Sequence, residues 1–373
     1  MKKVISAVCV IMAMLIGNTC LAAEVDTRTG VNFTWWGSDE DETGMQLIIP
    51  VQAASSYNDI SLELLTAYVF TQVNPDGGKR RSISQMSDTK LNLAYGVHDR
   101  LPFELLLGLG FNLPTGHTDL TQSESVLIVP PDLFPIPTFG EGLNINPAIT
   151  VAKDWGRFIA GAGIGYTWRG EYDYSDLYPD YDPGEILTAT CEAGYDITDT
   201  LFGKIYGQYI DYAKDTVDGD DFYQEGDVKL IGIGLNYDRE AWEAGFNLAG
   251  IFRGKSKVQQ GIALPTESRN SHGNELNTSL TYRYHTDQET TLRTSLELLF
   301  IAENDYPSTS PFFVGKRRKV TLGCGVDKTL AENFTGSVGL EGFIMDDEEN
   351  WYHPGEDVTY RGFGLSAQVS KRF

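Results

Sequence analysis

Charged residues stand at alternate positions in segments whose remaining positions are apolar. Glu63, Glu104, Glu192, Glu297 and Glu341 follow this rule, as do Lys90, Arg157, Lys204, Arg283 and Arg293. In an extended strand successive side chains point to opposite faces, so each segment offers one polar face and one apolar face. Acids and bases facing one another across water can sort ions by charge, which is the chemistry this set suits best. The plainer reading is a set of paired, solvated charges with no selective role.

Other chemistries find less support. The histidines are His98, His117, His272, His285 and His353, and no Ser or Asp stands at a spacing that identifies a catalytic dyad. The chain therefore reads as a non-enzyme that needs no cofactor. Of the cysteines, Cys9 and Cys20 fall in the first residues, while Cys191 and Cys324 sit mid-segment as small apolar residues; no Cys-x-x-Cys-His haem attachment occurs. Acids give a formal net charge of −23 and concentrate in Asp39-Glu-Asp-Glu, Glu171 to Glu185, Asp215 to Asp227 and Asp346-Asp-Glu-Glu. Such a surface concentrates cations and repels anions over about a Debye length, roughly 8 Å at physiological salt. Asp215-x-x-Asp-Gly-Asp-Asp and Asp180-Tyr-Asp-Pro-Gly-Glu offer hard oxygen ligands for a divalent ion, but neither has the calcium-loop spacing and no metal site is assigned. The basic clusters Lys79-Arg-Arg, Arg253-Gly-Lys-Ser-Lys and Lys316-Arg-Arg-Lys suit lipopolysaccharide phosphates; nucleic acid is excluded as a partner because the chain as a whole repels polyanions.

The elements that must position these residues are strands. Residues 1–23 carry Lys2 and Lys3, an apolar run from Val4 to Ile16 and small residues to Ala23, the order of a cleaved secretory signal. Residues 24–373 are then one exported domain, with no membrane-length apolar run. An aromatic-rich chain (Tyr 19, Phe 18, Trp 6) whose mean hydropathy is negative fits strands that are apolar on one face only. About sixteen segments of strand length follow: 27–37, 43–53, 58–70, 86–97, 103–113, 143–153, 156–169, 185–196, 201–213, 227–238, 241–253, 274–285, 289–301, 317–328, 332–344 and 359–373. The count falls to fourteen if residues 27–53 are a plug or tether. Connections alternate short and long. The short ones are 54–57, 96–101, 154–155, 199–200, 239–240, 285–288 and 328–331. The long ones are 38–42, 71–85, 114–142, 170–184, 214–226, 254–272, 303–315 and 345–358. A sandwich has no reason for that beat, whereas a transmembrane barrel has short periplasmic turns and long outer loops. The fold expected is all-β, a transmembrane antiparallel barrel with a water-filled lumen.

The chain ends Leu365-Ser-Ala-Gln-Val-Ser-Lys-Arg-Phe373, an alternating strand closed by an aromatic residue. This resembles the assembly signal of Gram-negative outer-membrane β-barrel porins, although Lys371 stands where such chains usually carry an apolar residue. The resemblance implies an outer-membrane location, Phe373 as a signal to the barrel-assembly machinery, contact with outer-membrane lipid and lipopolysaccharide, and a homotrimer as in general porins. The third long connection contains Pro137-Thr-Phe-Gly-Glu-Gly, similar to the tip of the loop that folds into general porins. That likeness implies that Pro137, Phe139 and Glu141 help form a constriction. Ser87-Asp-Thr-Lys-Leu-Asn-Leu-Ala-Tyr-Gly-Val-His-Asp-Arg and Leu109-Gly-Phe-Asn-Leu-Pro-Thr-Gly resemble transport barrels of phenol-degradation (MetA-pathway) operons. The functional expectation is passive diffusion of small hydrophilic solutes with a preference for cations. Two alternatives stay open: a barrel sheathing multihaem cytochromes as an electron conduit, and a transporter of small aromatic or apolar compounds.

Overall fold

A computed structural model describes residues 24–75, 78–122, 124, 127–176, 178–350 and 353–373; the expected signal segment 1–23 and Val126 of the third loop lie outside them. Among the described residues there is no α-helix. The strands are β1 (Glu24–Ser38), β2 (Thr43–Tyr57), β3 (Ile60–Asn74), β4 (Arg81–Met86), β5 (Thr89–Val97), β6 (Glu104–Leu113), β7 (Asn144–Asp154), β8 (Phe158–Arg169), β9 (Tyr181–Asp182), β10 (Ile186–Thr198) and β11 (Leu201–Tyr212). They continue as β12 (Asp215–Val217), β13 (Asp220–Gln224), β14 (Val228–Arg239), β15 (Trp242–Arg253), β16 (Lys257–Val258), β17 (Glu275–His285), β18 (Thr290–Ile301), β19 (Arg317–Ala331), β20 (Phe334–Asp347) and β21 (Val358–Arg372).

All but the four short strands β9, β12, β13 and β16 join one antiparallel sheet in which each strand pairs with its neighbours in sequence. β4 and β5 are two halves of one stave, both paired with β3, so the sheet has sixteen staves. β1 pairs with β21 from Asp26 against Arg372 to Ser38 against Tyr360, which closes the barrel and leaves no edge. Residues 27–53 supply two of the staves, which excludes the fourteen-strand alternative.

Residues opposite one another in an antiparallel ladder share a face, so the registers carry the inward and outward sets around the whole barrel. Outward stand Ile205 (61% exposed), Ile231 (65%), Leu322 (62%) and Val338 (62%). Each large apolar side chain left in water forgoes about 1.5–3 kcal/mol, so a belt of them demands lipid. Trp155, Phe158, Tyr195, Tyr237, Trp242 and Tyr282 ring the belt at the short-turn end, and Trp35, Phe363, Trp168 and Phe252 toward the other. Cys191 and Cys324 are unbridged and stand on this outward face.

The two ends differ as the connection lengths require. Asn58 and Asn333 occupy tight turns with positive φ (52° and 65°), a conformation their short polar side chains tolerate. The first two long connections are shorter than expected. β1 and β2 form a hairpin joined by 39–42, and β3 and β4 carry the ladder outward as far as Val73 against Arg81. Continued backbone pairing, with Ile83 packed inward, explains the second difference. Outside the barrel, β16, β13, β12 and β9 form a small four-stranded sheet from three outer connections.

Candidate functional site in the barrel lumen

Glu63, Lys90, Glu104, Glu192, Lys204, Arg283, Arg293, Glu297 and Glu341 all occupy the ladder positions opposite the apolar belt. Several are tied to wall neighbours. Glu63 accepts hydrogen bonds from Gln52 (2.6 Å) and Asn92 (3.2 Å), and Lys204 reaches Glu192 at 2.9 Å. Glu104 meets His98 at 2.6 Å at the short-turn end. Arg283 lies 3.4 Å from Glu243, and Arg293 lies 2.8 Å from Asp327. No ion pair is formed within 4 Å by Lys90, Glu297 or Glu341 among the described residues. Arg157 is placed differently: it sits in the turn before β8, donates to the carbonyls of Asp196 and Ile197, and stacks on the outward ring of Tyr195. His285 bridges Thr291 (3.0 Å) and Glu243 (3.2 Å) across the short-turn rim.

The connection 114–143 turns into the barrel. Leu127, Leu133, Phe134 and Phe139 are buried against inward residues of the wall: Trp36, Ile48, Val69, Phe343, Met345 and Tyr360. Trp36 meets the ring of Phe134 at 5.9 Å and that of Tyr360 at 5.5 Å. Three polar clamps complete the attachment. Gln46, fully buried on β2, takes the loop backbone in both directions at Ile136: its Nε2 donates to the carbonyl (2.8 Å) and its Oε1 accepts from the N–H (3.1 Å). Asp88, at the break between β4 and β5, accepts from the N–H of Gly116 (2.8 Å), the N–H of Glu141 (2.7 Å) and the side chain of Asn112 (2.6 Å). It thereby holds both ends of the loop. Arg317 binds Asp132 of the loop (2.8 Å) and Asp347 of β20 (2.7 Å), while Lys319 donates to the Asp132 carbonyl.

Sequence reasoning placed the tip of this loop at Pro137, Phe139 and Glu141. Phe139 is buried against the wall, its carbonyl accepting from the Asp88 N–H, and Glu141 stands at the loop base. Pro135, further up the loop, is exposed toward the lumen. It borders a cavity of about 660 Å³ lined by Asn32, Thr34, Asn236, Glu243, Thr281, Arg283, Arg293, Ser295, Glu341 and Ser366.

The clamps were not found from sequence, because their partners are 90 residues apart for Gln46 and Ile136 and 185 apart for Arg317 and Asp132. One signal was available. In Lys316-Arg-Arg-Lys the outward Val320 and Leu322 send Arg317 and Lys319 inward, so the cluster does not offer one basic face. Asp347 (3% exposed) likewise belongs to the loop clamp, whereas Asp346 is exposed.

Outside the barrel the loop acids divide. Asp215 accepts from Tyr181 Oη (2.6 Å) and the Gly184 N–H (2.7 Å), and among the described residues no acidic or histidine cluster is arranged to hold a metal. Burial raises the phenol pKa values of Tyr172, Tyr181 and Tyr223, and at Tyr181 the hydrogen-bonded Asp215 carboxylate adds to it. Asp39, Glu40, Asp41, Asp173, Asp176 and Asp218 remain exposed.

A closed sixteen-stave antiparallel sheet, apolar outside and polar within, with a loop turned into its lumen, defines the class: a β-barrel of the membrane-spanning kind. Residues 137–248 match the family model described as "Putative MetA-pathway of phenol degradation", under a third of the chain. No curated protein matches. Among solved structures, OmpT of Vibrio cholerae is 12% identical over 95% of this chain and 99% of its own, with a TM-score of 0.44. An anion-selective porin from Comamonas acidovorans is 12% identical over 94% and 99%, with a TM-score of 0.42. A TodX monoaromatic hydrocarbon channel mutant is 11% identical over 97% and 94%, with a TM-score of 0.45.

Proposed function

We propose that this chain is a passive channel for small hydrophilic solutes across the outer membrane, narrowed by residues 114–143 and entered through a cation-attracting mouth. One observation carries this reading. The loop is fastened inside a wall of polar and charged side chains, which gives a solute a wet path past a fixed obstruction. No conformational cycle is needed for diffusion. Cation preference is supported by the exposed outer acids and by Glu297 and Glu341, which face the lumen without an ion-pair partner among the described residues. Purified protein in planar bilayers should give stable, ohmic ion conductance. A folded barrel that gives none would end the reading.

A second reading, passage of small aromatic compounds, draws on the family match over residues 137–248. It predicts uptake of a neutral aromatic by vesicles containing the protein faster than of an equal-sized sugar. The electron-conduit alternative fits less well, since the loop stands in the space that a sheathed cytochrome would need.

A further inference from the structure

We propose that the lumen holds a subsite for a small organic monocarboxylate, built from Arg283 and Arg293 beside a bay floored with glycine. The proposal rests on the channel reading and names a solute class for it. Arg283 and Arg293 stand directly opposite each other in the β17–β18 ladder, on the inward face. Like charges directly opposite on adjacent strands are destabilising; Glu243 on β15 and Asp327 on β19 offset the pair from either side without occupying every guanidinium N–H, so donors are left for an anion. Neither guanidinium is used up by the wall. Arg283 makes one long contact to Glu243 (3.4 Å), and its side chain is 57% exposed. Arg293 Nε is 2.8 Å from Asp327, near enough for an ion pair but off-line for a hydrogen bond, and its side chain is 37% exposed. Both border the cavity of about 660 Å³ beneath Pro135.

The adjoining wall is shaped to keep that cavity open. A Cβ at Gly323 would lie 2.5 Å from Ser295 Oγ, and one at Gly339 would lie 2.6 Å from Ser366 Oγ. At Gly325 it would lie 3.1 Å from Arg293 Nη2. The hydroxyls and the guanidinium therefore lie over bare backbone, and any larger residue there would push them into the bay. A guanidinium recognises a planar oxyanion through parallel N–H donors, so either arginine can take the carboxylate while the other adds its charge, and the hydroxyls offer further donors to the rest of the solute. Charge limits the class. Glu243 and Asp327 already touch the arginines, and Glu341 borders the same cavity, so a single negative charge is tolerated better than two.

Benzoate, its uncharged isostere benzamide, and inorganic phosphate separate the outcomes. In saturation-transfer NMR titrations of the detergent-folded barrel, benzoate should bind saturably and benzamide should not. Arg283→Gln and Arg293→Gln should each weaken benzoate by about ten-fold, the size of one lost charge-assisted hydrogen bond, while Lys90→Gln leaves it unchanged. Equal binding of benzamide, tighter binding of phosphate, or indifference to both arginine variants would overturn the subsite. If a variant fails to show the heat-modifiable migration of a folded barrel, the three ligands on the unaltered protein decide. Bilayer conductance is measured separately: binding without conductance removes the channel reading, and conductance without benzoate binding removes the subsite.

Discussion

Asp88 shows how much one side chain carries here. It is 7% exposed, and its two oxygens take three donors that belong to the two ends of the inward loop and to Asn112. Asp88→Ala removes all three bonds; Asn112 keeps its second one, to the Gly142 carbonyl, and the two part-buried loop N–H groups lose at most about 1–3 kcal/mol each. The barrel ladder does not depend on them, so the expected result is a folded barrel with a loosened loop, seen as larger and noisier single-channel currents. An unchanged conductance histogram would show that Gln46, Arg317 and the apolar contacts hold the loop without it. No local pattern marks Asp88 for this role. It lies where β3 changes partners from β4 to β5, and a break of that kind re-aims one side chain while the strands on either side continue.

At the scale of elements, what was legible followed from period two. Leu105, Leu107, Leu109 and Phe111 set the outward face of β6, which puts Glu104 and Asn112 on the other without reference to anything distant. The same rule places Glu63, Glu192, Arg283 and Glu341. It fails for Arg157 because that residue belongs to a turn, where alternation no longer governs direction. Loop structure was illegible for a different reason: the sheet of β9, β12, β13 and β16 is assembled from three separate connections, and its strands of 2 to 5 residues are too short to show a period. Its stability has a pH signature. The phenols of Tyr172 and Tyr181 are held above their ordinary pKa of about 10, chiefly by burial. Their contribution is therefore complete below about pH 10 and is lost as pH rises beyond it, when a buried phenolate would face Asp215. Proteolytic nicking within 170–185 should accelerate above about pH 10 while the barrel stays folded. In Tyr181→Phe, which keeps the ring and loses the ionisation, that acceleration should shrink.

For the whole molecule, the question is which charges a passing ion feels. The formal charge of −23 is not spread evenly, and the structure divides it into two populations. Asp39, Glu40 and Asp41 lie exposed on an outer connection and act through water, so salt screens them within about a Debye length, roughly 8 Å at physiological strength. Glu341 stands inside, beside the cavity under Pro135, where low-dielectric walls would focus its field on an ion crossing the lumen. Reversal potentials across a salt gradient should then show cation preference at low salt that shrinks as ionic strength rises. Neutralising Asp39, Glu40 and Asp41 together should lower the low-salt preference and leave the high-salt value alone. Glu341→Gln should lower the preference at both. Asp347 does not belong in such a test, because its charge is already matched by Arg317 and its loss would free the loop. Anion preference at every salt concentration would mean that Arg283 and Arg293 outweigh the acids that border the same cavity, and the cation-channel reading would then fall.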